Sequence, residues 1–318
     1  MNIVALDGYL IDPSAELWSL VRPLGNFTLY DRTDSTETLE RCATAEIVLT
    51  NKVMMDQAVI AQLPQLKMIG VTATGYNVVD VEFARSQGIV VTNVPEYSTD
   101  SVAQHVFASL LGFLHRPESH HAAVANGDWI RSSDFAFWLS PLTELSGKTF
   151  GVVGLGKIGR ATAKLAAAFG MKVIANSRRE SDPLDLPGFA WKSTEEIFSE
   201  SDVVSLHCPQ TPETEGFVNS ELIAKMRSDS ILINTARGGL VNEFDLTKAL
   251  NADQIRGAIL DVVSVEPMRA DNPLLRAKNC LITPHIAWTT IEARARLTQT
   301  VADNIAAFQG GKPINVVN

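Results

Sequence analysis

Gly154-Leu155-Gly156-Lys157-Ile158-Gly159 is the stretch on which the reading of this sequence turns. It has the spacing Gly-x-Gly-x-x-Gly, a weak signal alone, but both flanks suit it. Thr149–Val153 before it is a β-rich apolar run, and 160–169 after it is an alanine-rich helical run closed by Gly170. A strand, a glycine turn and a helix form the phosphate-binding corner of a dinucleotide fold. The glycines permit the tight turn, let the backbone approach a pyrophosphate and bring helix and strand together. The helix start adds N–H groups and a partial positive charge. Gly154, Gly156, Lys157, Ile158 and Gly159 are therefore the first candidate cofactor residues.

Outward from that corner the same rhythm repeats. Strands are expected at 149–153, 172–175, 203–207, 231–234, 257–260 and 280–283, with helical stretches between them. Before the corner, strands are expected at 3–6, 27–30, 47–49, 68–71 and 89–91, and a long helix runs from about 98 to 115. Strand-helix alternation implies parallel sheets covered on both faces. The fold class is therefore α/β: two Rossmann-like or flavodoxin-like domains, with the active-site cleft expected between them. Residues 1–98 with 290–318 are assigned to a substrate domain and 99–289 to an NAD(P)-binding Rossmann domain. The helix near 291–309, stopped by Gly310-Gly311, returns to the first domain because a chain end needs a docking surface to stay ordered.

Composition limits the alternatives. The chain has 318 residues, 46% of them hydrophobic and 20% charged, and a formal net charge of -9. Acidic surfaces repel phosphate backbones, so a general nucleic-acid role is disfavoured. Cys42, Cys208 and Cys280 make neither a zinc spacing nor a disulfide framework, so no metal is expected. No apolar run approaches the ~20 residues of a membrane span, and the first residues read as a strand. The expected location is the cytoplasm.

Ligands of open parallel sheets bind beyond the carboxyl ends of the strands, so the residues there carry the chemistry. The strand at 172–175 continues as Asn176-Ser177-Arg178-Arg179. An acidic residue usually stands here to hold the ribose hydroxyls. A serine and two arginines suit a 2′-phosphate instead, which predicts NADP(H) over NAD(H), with NAD(H) still possible. The alternative is a solvated arginine pair. His207-Cys208-Pro209 follows another strand and lines the nucleotide groove. Thr235-Ala236-Arg237 follows a third. Reduction of a 2-keto acid needs a cation for its carboxylate and a proton donor for its oxygen. Arg237 suits the first role and His285 the second. Glu266 would orient the imidazole and stabilise its protonated form. Singly, each has a plainer reading: a helix-capping arginine, a solvated turn glutamate and a core histidine. His105 is open between facing the cleft and packing in the long helix, while His115, His120 and His121 read as surface or packing residues.

The motifs Gly154–Gly159, His207-Cys208-Pro209 with Thr211-Pro212-Glu213-Thr214, Asn234-Thr235-Ala236-Arg237-Gly238-Gly239, Asp261-Val262 with Glu266-Pro267, and Pro284-His285 occur in one order. In this the chain resembles the D-isomer-specific 2-hydroxyacid dehydrogenases over nearly its whole length. The stretches at 101–108 and 285–288 are most similar to the glycerate dehydrogenase/hydroxypyruvate (glyoxylate) reductase branch. The resemblance implies Arg237, Glu266 and His285 as the catalytic set. It implies substrate contacts from Lys52, Thr74, Gly75, Arg237, His285 and Trp288. It implies cofactor contacts from Thr214, Thr235, Ala236, Arg237, Asp261, His285 and Ala287, and a homodimer joined through the cofactor domain. The acidic residue of many NAD-using members is replaced by Ser177. The expected reaction is hydride transfer between NADP(H) and a small 2-keto or D-2-hydroxy acid, with hydroxypyruvate or glyoxylate as the expected substrate. Rival readings are a reductase for bulkier 2-keto acids, a formate or phosphite dehydrogenase, and a non-catalytic NAD(P)-sensing protein. Trp288, Trp138 and Phe135 are candidates to shape the C3 pocket, the last two equally for interface packing.

Overall fold

The computed structural model describes residues 1–180 and 182–318. The chain divides into two compact units, Met1–Ser98 with Thr289–Asn318, and Thr99–Trp288.

The first unit holds five parallel strands: β1 (Asn2–Ala5), β2 (Asn26–Leu29), β3 (Ile47–Thr50), β4 (Met68–Val71) and β5 (Val90–Thr92), in the order β2-β1-β3-β4-β5. β3 and β4 are buried at every position, as expected of parallel strands covered on both faces. The helix Ile291–Gln309 belongs to this unit. Asn304 donates to the Asn93 carbonyl (2.9 Å), Arg296 to Tyr97 (2.9 Å) and Arg294 to Ile11 (2.9 Å). The final residues reach β5: the Val317 N–H donates to Val91, and the Asn318 amide bonds Val91 and Ile89.

The second unit holds β6 (Thr149–Val153), β7 (Lys172–Asn176), β8 (Ala190–Trp191), β9 (Val203–Leu206), β10 (Ile231–Asn234), β11 (Gly257–Leu260) and β12 (Cys280–Ile282). All are parallel, in the order β12-β11-β10-β9-β6-β7-β8. Alternate residues serve opposite faces. Val152, Ile231, Ile233 and Ile259 pack with the long helix Thr99–His115. Val153, Leu232, Ala258 and Leu260 pack on the other side with Ile197, Leu222 and Leu246. The order reverses between β6 and β9, which makes their carboxyl ends the crevice of a doubly wound sheet.

Two elements go beyond the sequence reading. β8 is a two-residue strand, too short to leave a periodic signal. The helix Pro117–Ala125 follows Arg116, whose φ of 46° ends the previous helix, and Pro117 occupies a favoured first helical position. Strand bounds otherwise shift by a residue: β1 is Asn2–Ala5 and β12 ends at Ile282. No helix among the described residues is long and apolar enough to cross a membrane.

Candidate active site

Strand order arranges the candidate residues of the second unit. Along its edge, the carboxyl ends of β12, β11, β10, β9, β6 and β7 carry in turn His285, Glu266, Thr235 with Arg237, His207, Gly154 and Ser177. Residues scattered from 154 to 285 in the sequence fall in turn along one edge.

At one end His285 Nδ1 lies 2.6 Å from Glu266 Oε2. A carboxylate only accepts, so Nδ1 carries the proton and donates. Nε2 is left to face a reactant. Both side chains are about one-third exposed (31% and 30%), so solvent reaches them. Glu266 is held in turn: its Oε1 accepts from the Val263 N–H at 3.2 Å. Gly238 brings this turn against the Arg237 turn, since a Cβ there would sit 1.9 Å from the Val263 carbonyl carbon. Arg237 is exposed; its Nη1 donates to the Ala236 carbonyl at 2.7 Å. Asn234 anchors the same turn, donating to the Arg237 carbonyl (2.8 Å) and accepting from the Ala236 N–H (3.0 Å).

The backbone of His285 has φ 55°. For a residue with a Cβ this left-handed conformation costs about 1–2 kcal/mol. Asp261, 1% exposed, offsets it. The Asp261 carbonyl accepts the His285 N–H at 2.8 Å. Its carboxylate accepts from Thr283 Oγ1 (2.5 Å), the Ile286 N–H (2.9 Å) and the Ala287 N–H (2.8 Å). Bonds to a charged acceptor contribute about 1.5–3 kcal/mol each, so three outweigh the strain. The sequence reading places Asp261 among cofactor contacts; in the fold its carboxylate is committed to the loop that carries His285.

The middle of the edge suits a dinucleotide. Gly154 (φ 97°) lies against the next strand end: a Cβ there would meet the Cys208 backbone nitrogen at 2.6 Å. A Cβ on Gly159 would meet the Gly154 carbonyl at 2.2 Å, but one on Gly156 meets no described atom within 4 Å. The glycine loop is tight where helix meets strand and open where a pyrophosphate would lie. Gly156 is also the N-cap of the helix Lys157–Ala168 and supplies no side-chain cap to its first-turn N–H groups. Thr235 Oγ1 is buried with no partner among the described residues, a cost of about 1–3 kcal/mol that a ligand's polar group would remove. Lys157, Ile158 and Thr235 would hold the group by these features. His207 Nε2 lies 2.9 Å from Ser205 Oγ, and burial pushes its pKa down to about 4, so its ring is neutral near pH 7. Thr214 Oγ1 donates to the Pro209 carbonyl at 2.9 Å and fixes the turn after Cys208. At the β7 end Ser177 is half-buried, and Arg178 and Arg179 are exposed. Arg178 lies near enough to Glu213 to favour its charged form, after hydrogen bonds from Thr211 and the backbone.

The first unit presents its candidates at the carboxyl ends of β3 and β4. Lys52 and Thr74 are exposed. The Asp7 carboxylate accepts from the N–H groups of Asn51 (2.8 Å), Lys52 (2.6 Å) and Val53 (3.3 Å). Asn51 donates to the Thr72 carbonyl (3.1 Å) and Asn93 to Thr74 (2.8 Å), so the Thr74-Gly75 turn is held from both sides. Burial raises the Asp7 carboxyl, against these backbone bonds and the Lys52 charge.

The family model for the D-isomer specific 2-hydroxyacid dehydrogenase NAD binding domain matches residues 107–287. The chain belongs to the D-isomer-specific 2-hydroxyacid dehydrogenases. It is an NAD(P)-dependent oxidoreductase of that family. A hydroxypyruvate reductase of Blautia hydrogenotrophica is 46% identical over 321 residues, covering 100% of each chain. A glycerate dehydrogenase of Methylorubrum extorquens is 42% identical over 284 residues, 88% of each. Among solved structures, an NADPH-dependent glyoxylate/hydroxypyruvate reductase from Sinorhizobium meliloti superposes with a TM-score of 0.84 at 28% identity, covering 99% of this chain and 97% of that one.

Asp7 and Glu243 lie outside the sequence reading, and the face of the long helix settles His105, which that reading leaves open between the cleft and packing. Glu243 accepts from the Ser264 N–H (2.7 Å) and Asn272 (2.9 Å), bracing the turn before Glu266. Ser101 donates to the Ala287 carbonyl at 2.6 Å, and His105 Nε2 lies 3.1 Å from Thr283 Oγ1. Their spacing of four residues on one helix is the signal that marks them as a pair.

Proposed function

We propose that this enzyme reduces hydroxypyruvate or glyoxylate to the D-2-hydroxy acid with NADPH. The 2.6 Å bond between His285 and Glu266 carries the reading, because it leaves one imidazole nitrogen to give a proton. Arg237, with its planar fork, takes the substrate carboxylate, helped by the backbone of Thr74 and Gly75 and by Lys52. Trp288 lines the substrate side. The nicotinamide, when bound, supplies a hydride to the carbonyl carbon. His285 in its protonated form donates from Nε2 to the carbonyl oxygen, and Glu266 keeps the charged ring in place. Asp261 and Ala287 fix the loop beneath.

The choice of NADPH rests on Ser177, Arg178 and Arg179 at the tip of β7, where a serine and two arginines follow the strand in place of the usual acidic residue. The names of the Blautia and Sinorhizobium relatives support the substrate class. Steady-state assays of hydroxypyruvate, glyoxylate and bulkier 2-keto acids, each with NADPH and NADH, test the reading. The expected result is the highest kcat/KM for a two- or three-carbon acid with NADPH; a preference for a bulky acid would favour the rival reductase.

A homodimer accompanies this reading. Ile130 (89% exposed), Phe135 (93%) and Trp138 (71%) stand out of the second unit on one segment. His120 fixes that segment, accepting the Leu139 N–H at 3.1 Å. So much exposed aromatic surface is a subunit contact in character. Sedimentation of an Ile130→Ser/Phe135→Ser variant, expected to run as a monomer, checks it. The three cysteines are free thiols, which accords with the cytoplasm as the site of action.

A further inference from the structure

His105 has no role in the chemistry above, yet it is built into the loop that carries His285. It lies on the helix Thr99–His115, one turn after Ser101. Its Nε2 is 3.1 Å from Thr283 Oγ1, 3.3 Å from Ser109 Oγ and 3.6 Å from Asp261 Oδ1. The Thr283 hydroxyl donates its proton to Asp261 at 2.5 Å, so towards His105 it can only accept. Nε2 of His105 must therefore carry a hydrogen and donate. That bond holds the threonine hydroxyl in the orientation that serves Asp261. The Asp261 backbone carbonyl in turn holds the His285 N–H, and its carboxylate holds the two residues that follow.

We propose that His105 is a positioning residue for proton transfer: through Thr283 and Asp261 it fixes the left-handed turn that aims His285. The inference rests on His285 being the proton donor. The side chain required at 105 is one that donates a hydrogen bond from the position of Nε2. A glutamine reaches that position with an amide N–H; alanine leaves the hydroxyl free to rotate, and the His285 turn loses one of its fixed points. A misaimed donor lowers turnover without weakening the coenzyme's hold at the distant glycine loop.

The test is made on the full-length enzyme with hydroxypyruvate and NADPH. Displacement of a catalytic group by about 1 Å costs on the order of 100-fold, so His105→Ala is expected to lower kcat by roughly 10- to 100-fold. The NADPH dissociation constant, read by fluorescence, is expected to stay within about 2-fold, as befits a lost transition-state interaction. His105→Gln is expected to recover most of the loss. Thr283→Val is expected to resemble His105→Ala, and it keeps the test open should His105→Ala not fold. The double variant His105→Ala/Thr283→Val is expected to be no worse than the poorer single, because both break one chain of bonds. Wild-type kcat in His105→Ala, no recovery in His105→Gln, or multiplied losses in the double variant would each overturn the inference. His285→Ala is measured alongside. Full turnover there overturns the reading of the site and this inference with it; an inactive His285→Ala beside a fully active His105→Ala overturns this inference alone.

Discussion

The imidazole of His285 and the carboxylate of Glu266 meet at 2.6 Å, although 19 residues separate them and each ends a different strand connection. Replacing His285 by alanine removes the proton donor, and kcat for hydroxypyruvate should fall by about 10²–10⁴-fold. Glu266→Gln keeps the size and loses the charge. A charge-assisted bond contributes about 1.5–3 kcal/mol, so kcat should fall by roughly 10- to 150-fold. Stopped-flow single turnovers check both, and unchanged melting temperatures separate the chemical loss from misfolding.

Gly156 and Gly159 should fail in opposite ways. A methyl group at 159 collides with the Gly154 backbone carbonyl, so Gly159→Ala should lower the melting temperature, by overpacking of about 1–3 kcal/mol. A methyl group at 156 projects into open space. Gly156→Ala should keep its melting temperature and lose affinity for coenzyme. Calorimetry of the apoenzymes and titration with NADPH distinguish the two.

Coenzyme choice should move with charge at the tip of β7. Ser177→Asp combined with Arg178→Gln places a carboxylate where the 2′-phosphate would lie and removes a cation. The ratio of kcat/KM for NADPH over NADH should drop by at least about 10-fold, one charged contact of ~1.4 kcal/mol. An unchanged ratio would dismiss the arginine pair as solvated surface.

His207 gives the enzyme an acid-sensitive point. Burial lowers its pKa from 6.5 to about 4. Between those values the unfolded chain binds a proton that the folded ring refuses, so stability is complete above about pH 6.5 and is lost as pH falls toward 4. The whole effect amounts to about 3 kcal/mol at ~1.4 kcal/mol per pKa unit, trimmed by the residue's partial exposure. His207→Gln cannot charge, so urea midpoints of this variant should depend less on pH across that window.

How much of this the chain reveals in advance depends on the range of the signal. The glycine loop, the Ser177-Arg178-Arg179 tip and the strands that precede Arg237, Glu266 and His285 are local patterns, and they appear at their expected places. Period-two burial is absent from fully covered strands, yet short β-branched runs still mark β3, β4 and β10. What the sequence conceals is support that acts across distance. Asp7 is 44 residues from Asn51, and His105 is 178 from Thr283. An aspartate after a strand or a histidine in a helix carries no mark of the loop it will hold. The spacing of Ser101 and His105 on one helical face is the one local signal of a common partner. β8 escaped because two residues make no pattern.

The second unit occupies one unbroken run of sequence, while the first is closed by Thr289–Asn318 lying against β5 and by bonds from Val317 and Asn318. On the ribosome, residues 1–98 are therefore made long before the helix and tail that complete their unit. The nucleotide-holding half has all its strands before its forerunner has its last helix, and it is free to mature first.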